Sequence, residues 1–291
     1  MRVVRLRAPG GPEQLAVKEA EQPRPGPGQA LVRVHAAAIT RDELQWPVER
    51  LPAIPSYELS GVVEEVGADV TRVAVGDEVF ALTLFDRDGV AADYAAVPAE
   101  LLAGRPRTLE HAESAAIPLP ALTAWQGLFD HGQLAPGQRV LIHGAAGAVG
   151  AFAVQLARTR GAHVVGTASP RHLESVRELG AHEAVDGTSR FEDAVEPVDV
   201  VFDTAGGERL QRSGAVLRPG GRLVSVAEEP GEGGVFFIVE PNRGQLESLA
   251  KLVDADSLQP PPVETFALTE ATRAFTRSLQ PGRRGKVVLV P

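Results

Sequence analysis

The first hundred residues contain short apolar segments separated by residues that favour turns. Apolar and polar positions alternate, and the segments are bounded by glycine, proline and aspartate. This pattern predicts strands at residues 2–6, 30–37, 61–66, 77–81 and 91–97. Short strands at this spacing indicate a compact β-rich barrel or sandwich.

The pattern changes at residue 138, where apolar strands begin to alternate with amphipathic stretches of helix length. Strands are predicted at residues 139–143, 163–167, 183–185, 198–203 and 222–226. Helices are predicted between them at residues 148–160, 170–179 and 208–217. This alternation is typical of a parallel sheet covered by helices, so the predicted fold class is α/β.

The last part of the chain adds a few elements to this pattern. They are a strand at 236–239, helices at 243–254 and 269–278, and a closing strand at 287–290. The final two are too few to form a domain, so we expect them to return to the first one. The predicted organisation is a discontinuous catalytic domain at residues 1–118 and 258–291, and a nucleotide-binding domain at residues 119–257.

The amino-acid composition excludes several classes of function. The 291 residues allow about two domains. The formal net charge of −9 argues against a nucleic-acid or anionic-membrane partner, which would need a basic surface. The chain has no cysteine, which excludes disulfides, thiolate catalysis and cysteine-bound zinc. Residues 1–12 do not resemble a signal peptide, so we expect a soluble, cytoplasmic protein.

A turn of small residues joins the predicted strand 139–143 to the helix 148–160. Aligned on the dinucleotide fingerprint, Ala145, Gly147 and Gly150 occupy the three glycine positions. The middle position must lack a side chain so that phosphates can approach the backbone, and the third lets helix and strand pack closely. The arrangement predicts a dinucleotide site. The alternative is a tight strand-to-helix turn that binds no ligand.

The end of the second strand indicates which dinucleotide would bind. An NAD site places an acidic residue about 20 positions past the loop, but after Thr167 no carboxylate precedes Glu174. Ser169 and Arg171 offer a hydroxyl and a guanidinium to a 2′-phosphate, so NADPH (NADP⁺) is the predicted cofactor. Alternatively, Ser169 caps the following helix, with Pro170 at its first position.

The chain carries a series of short motifs at residues 54–63, 66–67, 75–79, 122–125, 144–156, 179–181, 200–207 and 285–288. Together they resemble the zinc-free medium-chain dehydrogenase/reductases, specifically the quinone oxidoreductase (zeta-crystallin-like) family. The resemblance spans nearly the whole chain and implies a GroES-like β-rich catalytic domain, a doubly wound Rossmann domain and an active site in the cleft between them. It also implies a homodimer through the edge of the Rossmann sheet, where residues 234–239 are apolar.

The resemblance also assigns cofactor contacts. It implies that Thr123 packs near the nicotinamide and that Ala146, Gly147, Ala148 and Val149 offer backbone N–H groups to the pyrophosphate. Two strand-end pairs would border the cofactor, because open parallel sheets bind ligands at the carboxyl ends of their strands. These pairs are Thr204 with Ala205 and Val226 with Ala227. For each position the alternative is an ordinary helix or turn residue.

The chain also departs from its relatives. Zinc-dependent members use two cysteines and a Gly-His-Glu motif, where this chain has Thr40, the sequence Ser56-Tyr57-Glu58 and no cysteine. We therefore predict no catalytic metal. A tyrosine that many relatives place near the 2′-phosphate is replaced by Gly187, and the stretch 228–235 is shorter than usual.

Hydride transfer from NADPH to a quinone or an α,β-unsaturated carbonyl fits these features, because conjugation stabilises the charge that zinc would otherwise stabilise. Tyr57, Thr40 and Asp42 are the candidate catalytic residues, with Trp46 and the segment 85–87 as possible walls. Tyr57 is equally compatible with a buried structural role, and Asp42 with an ordinary loop position. The alternative functions are an enoyl-thioester reductase and a non-catalytic NADPH-binding sensor or structural protein.

Overall fold

A computed structural model describes residues 1–46, 48–282 and 284–291. These residues form two compact units, one of residues 1–119, 241–255 and 260–291, the other of residues 120–240 and 256–259. The main difference from the predicted division concerns residues 241–255, which lie in the first unit. Their helix is held there because the Asp254 carboxylate accepts hydrogen bonds from the backbone N–H (3.1 Å) and hydroxyl (3.2 Å) of Thr108.

The strands alternate irregularly with the helices along the chain. In chain order they are β1 (Arg2–Leu6), β2 (Leu15–Glu19), β3 (Gln29–Ile39), β4 (Glu58–Val66), β5 (Glu78–Leu82), β6 (Tyr94–Pro98), β7 (Ala103–Gly104), β8 (Arg139–His143), β9 (His163–Ala168), β10 (Glu183–Asp186), β11 (Val198–Asp203), β12 (Leu217–Ser225), β13 (Val235–Phe236), β14 (Val263–Ala267) and β15 (Lys286–Val290).

The α-helices are shorter than the average globular helix, apart from two of twelve residues. They are α1 (His111–Ala115), α2 (Pro118–Trp125), α3 (Ala148–Thr159), α4 (Leu173–Glu178), α5 (Gly207–Arg212), α6 (Arg243–Asp254) and α7 (Ala271–Ser278). A π-helical segment, Gln126–His131, continues α2. No helix in the described part of the chain combines the length and apolar character needed to cross a membrane.

The first unit is built on an extensive β-sheet in the order β14-β15-β3-β4-β5-β7, with β6 also paired to β3. A separate antiparallel pair, β1 and β2, packs its buried valine and leucine side chains into the same core. The C-terminal strand β15 lies antiparallel to β3 and parallel to β14. The end of the chain thus completes the sheet begun by its first hundred residues.

The second unit contains a parallel sheet in the order β10-β9-β8-β11-β12-β13. The chain runs outward from β8 to β10, returns to the centre at β11 and continues to the other edge. A doubly wound sheet with this order has a topological switch point between β8 and β11, where ligands bind at the strands' carboxyl ends. The predicted combination of a β-rich unit and a parallel α/β unit is confirmed.

Several predicted elements are corrected. The helix expected at 208–217 ends as a short 3₁₀ turn at Val216, and β12 begins at Leu217, because a bulge accommodates Pro219 and Gly220 within the strand. The helix expected at 170–179 begins as a 3₁₀ turn, Pro170–His172, before α4. The pattern did not predict β2, β7, β14, α1 or α2.

Candidate functional site

The small-residue turn after β8 is shaped by close backbone approaches. Gly144 has a φ of +72°, and its carbonyl accepts a hydrogen bond from the Gly147 N–H at 2.9 Å. A Cβ added at Gly150 would lie 2.2 Å from the same carbonyl oxygen, so only glycine fits there. The buried Ala145 donates its N–H to the carbonyl of Thr167 at 3.0 Å, which ties the turn to the end of β9. Of the predicted fingerprint residues, Ala145 and Gly147 therefore lie in the turn, and Gly150 lies in the first turn of α3, packed against it.

The N-terminus of α3 opens from this turn. Gly147 precedes the helix in an extended conformation and is exposed, and no side chain caps the first turn. Backbone N–H groups at an uncapped helix start, together with the helix dipole, attract an anion. The segment Ala146–Val149 thus has the donors and the absence of bulk that a pyrophosphate requires.

The strands on the other side of the switch point end beside the glycine turn. The hydroxyl of Thr204, after β11, donates to the carbonyl of His143 at 2.8 Å. The Asp203 carboxylate is buried and accepts the Ala205 N–H at 3.2 Å and the Ser225 hydroxyl at 2.8 Å. Burial raises the pKa of Asp203, against the hydrogen bond from Ser225. These bonds fix the first of the predicted strand-end pairs.

The end of β12 is also fixed by Asp203 and Ser225. The Val226 N–H donates to the Asp203 carbonyl at 3.1 Å, and the Ala227 N–H donates to the Ser225 hydroxyl at 3.1 Å. Thr204, Ala205, Val226 and Ala227 therefore lie at the carboxyl ends of adjacent strands. Thr123 is buried on α2.

The end of β9 carries the residues predicted to recognise a 2′-phosphate. Ser169 precedes the turn at Pro170, but its hydroxyl makes no capping hydrogen bond; it lies 3.2 Å from His172 Nδ1. Arg171 is exposed. The structure therefore gives no support to the capping alternative, and it places Ser169 directly before, and Arg171 within, the 3₁₀ turn that follows β9.

A buried polar cluster lies in the first unit, at the positions that resemble a zinc site. The Lys286 ammonium is in direct contact with the Glu58 carboxylate and donates to the Thr40 hydroxyl at 3.1 Å. The Thr40 hydroxyl in turn donates to Glu58 at 3.2 Å. The second oxygen of Glu58 accepts the backbone N–H of Leu119 at 2.9 Å. The cluster thus joins β3, β4 and β15 to the start of α2.

A second carboxyl group is buried beside this cluster. Glu43 accepts the backbone N–H groups of Ser56 at 3.1 Å and of Thr40 at 3.0 Å. Burial raises the pKa of Glu43 to about 8, although the Thr40 N–H and the Lys286 charge oppose the rise. Its neighbour Asp42, a predicted catalytic residue, is exposed and is not brought into the cluster.

Tyr57 is fully buried among aromatic rings. Its ring centre is 5.6 Å from that of Trp46 and 5.3 Å from that of Phe85, and these two are 5.2 Å apart. The proton of the Tyr57 hydroxyl finds no acceptor among the described residues, and the guanidinium of Arg50 is the donor nearest to its oxygen. Burial raises the pKa of Tyr57, opposed by the nearby guanidinium of Arg50, which donates to the Phe85 carbonyl at 2.6 Å. We refer to Trp46, Tyr57 and Phe85 as the aromatic cluster.

Sequence reasoning did not assign roles to Glu43, Glu58 or Lys286. One signal was available: Lys286 is a charged residue at the start of an otherwise apolar closing strand, a position that is buried. A lysine in such a place needs a buried anionic partner. Nothing in the local pattern around Glu43 indicates its burial.

The chain matches two known families. Residues 26–107 match the alcohol dehydrogenase GroES-like domain, and residues 179–289 match the zinc-binding dehydrogenases. Among solved structures, the quinone oxidoreductase from Coxiella burnetii is 29% identical, with a TM-score of 0.91 over 100% of this chain and 99% of that one.

Among curated proteins, the chloroplastic NADPH-dependent alkenal/one oxidoreductase of Arabidopsis thaliana is 33% identical over 90% of this chain and 72% of its own length. The spectinabilin polyketide synthase system protein NorB of Streptomyces orinoci is 37% identical over 90% of this chain. The chain spans only 13% of NorB, so it resembles one segment of that protein.

The name of the second matched family implies a zinc ion. The side chains of the buried polar cluster decide whether that metal would fit. In the described residues no group of three or more histidine, cysteine, aspartate or glutamate side chains converges. Thr40 and Glu58 instead share the ammonium of Lys286, which is itself a cation. A hydroxyl, a phenol and an ion-paired carboxylate do not match the sulfur, imidazole and carboxylate ligands of catalytic zinc. The cluster therefore does not fit this metal.

Proposed function

Because the chain belongs to the quinone oxidoreductase branch of the medium-chain dehydrogenase/reductase family, we propose that it is an NADPH-dependent reductase of quinones or α,β-unsaturated carbonyl compounds that uses no catalytic metal. The observation that carries this proposal is the glycine turn, with its exposed Gly147 and the uncapped start of α3. When bound, the reduced nicotinamide dinucleotide supplies the hydride. The protein's own residues bind and orient the reactants and stabilise charge.

On the substrate side, we propose that the aromatic cluster binds the flat conjugated acceptor. Tyr57 would donate its hydroxyl to the carbonyl oxygen on which negative charge develops. A buried hydroxyl proton without an acceptor is costly, and a carbonyl oxygen would provide that acceptor. Thr40 takes a supporting role, since its own proton is directed at Glu58. We assign no step to the exposed Asp42.

Steady-state oxidation of NADPH with a panel of quinones and enones tests the proposal. We expect turnover, and we expect Tyr57→Phe to lose about 10²-fold in kcat. The chain has one other tyrosine, so Tyr94→Phe is the matched control and should keep wild-type turnover. Tight NADPH binding without oxidation of any acceptor would favour a non-catalytic NADPH-binding sensor instead. An unchanged kcat in Tyr57→Phe would show that Tyr57 is not the donor.

A second candidate is reduction of an enoyl group carried on a thioester. The similarity to a segment of NorB, a polyketide synthase system protein, favours it. A comparison of kcat/KM for an enoyl thioester with kcat/KM for the matching free enone distinguishes the two. A preference of tenfold or more for the thioester would favour the second candidate.

For the cofactor, we propose NADPH in preference to NADH, with Ser169 and Arg171 at the 2′-phosphate. The chain offers no acidic side chain between Thr167 and Glu174 to accept the ribose hydroxyls of NADH. Arg171→Glu should weaken NADPH binding and leave NADH binding largely unchanged. Equal NADPH affinity in the wild type and this variant would contradict the assignment.

We also propose a homodimer through the edge of the parallel sheet at β13. Val235 and Phe236 are 38% and 36% exposed, and the neighbouring Ile238 is 69% exposed. An unpaired, apolar edge strand favours pairing with a second copy. Sedimentation at micromolar concentration should give a dimer, and Ile238→Lys should shift it towards the monomer. A monomeric wild type would refute this proposal.

A further inference from the structure

The end of β10 lies beside the segment that carries Ser169. Gly187 follows β10, and its N–H donates to the carbonyl of Ala168 at 2.9 Å. Since Ala168 directly precedes Ser169, Gly187 borders the same corner of the sheet. In a doubly wound fold the adenosine ribose lies at this corner, past the end of the second strand.

An arginine from the other half of the sheet reaches this corner. Arg209 belongs to α5, and its Nη1 donates to the carbonyl of Gly187 at 3.2 Å. A Cβ added at Gly187 would lie 3.5 Å from the Arg209 Cδ and 3.2 Å from the Thr167 Cβ. Because Gly187 has no side chain, the Arg209 side chain can lie close to its backbone.

Arg209 forms no ion pair within the described residues, although its charge is close enough to the buried Asp203 carboxylate to oppose the rise in the pKa of that group. No carboxylate there lies within ion-pair distance of it, and its buried Nε lacks a hydrogen-bond partner. Arg212 of the same helix differs, because it pairs with the Glu192 carboxylate at 3.0 Å. A guanidinium whose one direct partner is a neutral carbonyl still has donors to offer to an anion.

The positive charge acts on the groups around the switch point. Burial, and after it the charges of Arg209 and Arg212, together lower the pKa of His143 to about 3. The nearest acidic residue in sequence to Gly187 is Asp186, whose carboxylate accepts from the Thr188 N–H at 2.8 Å and hydroxyl at 2.7 Å. Asp186 is therefore turned into its own loop.

The two arginines belong to segments on opposite faces of the sheet. Right-handed crossovers place α3 and α4 on one face and α5 on the other. Arg171 follows β9 on the first face, and Arg209 comes from the second. We propose that Arg209 is a further determinant of cofactor specificity, which contacts the phosphate on the adenosine ribose and so discriminates NADPH from NADH. The inference rests on the proposed function and adds a residue to it.

The test measures the dissociation constants of NADPH and NADH separately, by nucleotide fluorescence on the full chain. Arg209→Gln keeps a donor for the Gly187 carbonyl and removes the charge. It should weaken NADPH binding about ten- to a hundredfold and leave NADH binding within about threefold. Arg209→Lys should lose less NADPH affinity than Arg209→Gln, because it keeps a positive charge. Arg212→Gln is the matched control on the same helix and should leave the ratio of the two constants unchanged.

The outcomes separate this inference from the proposed function. Unchanged NADPH affinity in Arg209→Gln, or an equal loss for both nucleotides, would overturn the inference and leave the dinucleotide site standing. Failure of the wild type to bind either nucleotide would overturn the proposed function, and the inference with it. Competition by 2′,5′-ADP provides a second readout. Arg209→Gln should weaken the binding of 2′,5′-ADP and leave the binding of 5′-AMP unchanged. Weaker binding of 5′-AMP with unchanged binding of 2′,5′-ADP would count against the phosphate contact.

Discussion

The Thr167 hydroxyl and His143 Nδ1 lie 2.9 Å apart, at the carboxyl ends of the neighbouring strands β9 and β8. On the other side of the ring, Nε2 lies 3.0 Å from the Ser213 hydroxyl. That hydroxyl donates its own proton to the Arg209 carbonyl at 2.7 Å and must therefore accept from His143. The ring then carries its proton on Nε2, and Nδ1 accepts from Thr167.

This network predicts that His143 stays neutral, as the Nε2–H tautomer, between pH 5 and 8. Burial lowers its pKa to about 3. A base whose folded pKa lies below its unfolded value contributes stability that is complete above about pH 6.5 and is lost as the pH falls towards 3. Nitrogen-15 NMR of the ring should show one tautomer and no titration across this range. A protonated ring at pH 6 would contradict the hydrogen-bond assignment.

The buried pair of Lys286 and Glu58 predicts a large cost for removing one partner. Their side chains are 7% and 1% exposed, so Lys286→Met would leave an uncompensated carboxylate in the core. We expect a loss of about 3–5 kcal/mol in the free energy of unfolding, measured by urea denaturation. The double variant Lys286→Met with Glu58→Gln should recover a substantial part of it.

A surface pair provides the control for this measurement. Arg177 and Glu174 are 49% and 76% exposed, so Arg177→Met should cost about 0.5 kcal/mol or less. Equal losses in the free energy of unfolding for Lys286→Met and Arg177→Met would show that the buried pair matters no more for stability than the surface pair.

The sequence predicts most of the second unit because its signals are local. Strands β8 and β11 have their predicted bounds, since each is a largely apolar run ended by a turn. The strand β12 was predicted to begin five residues late, because Pro219 and Gly220 favour a helix end and the bulge that contains them depends on pairing with β11.

The buried charged groups of the first unit are harder to predict because they depend on long-range contacts. Lys286 and Glu58 are 228 positions apart, and no periodic pattern connects them. Asp42 and Glu43 are adjacent acidic residues, and only the path of the chain after β3 decides which of them is buried. The glycine turn was predictable because its chemistry requires small residues at fixed spacing within one loop.

The raised pKa of Glu43 predicts that the difference in the free energy of unfolding between the wild type and Glu43→Gln depends on pH. Its folded pKa of about 8 lies above the unfolded value of 4.5, so its stabilising contribution is complete below about pH 4.5 and is lost as the pH rises through 8. The wild type should therefore lose stability relative to Glu43→Gln over this window, by at most about 1.4 kcal/mol per pH unit. Urea denaturation at several pH values measures this difference. A constant difference from pH 5 to 8 would mean that Glu43 does not titrate there.

Gly150 predicts a linked loss of stability and of nucleotide binding. In Gly150→Ala the new methyl group would lie 2.2 Å from the Gly144 carbonyl oxygen and 2.7 Å from the Ala145 Cα, so the turn must move away from the start of α3. We expect a cost of about 1–3 kcal/mol and weaker NADPH binding, measured by thermal unfolding and by fluorescence titration. Gly214→Ala is the matched control in the same unit, because nothing lies within 4 Å of a Cβ added there. Since the displaced groups are the proposed N–H donors for the pyrophosphate, NADPH and NADH should be affected alike. A selective loss of NADPH would instead place the damage at the ribose phosphate and contradict the role given to this turn.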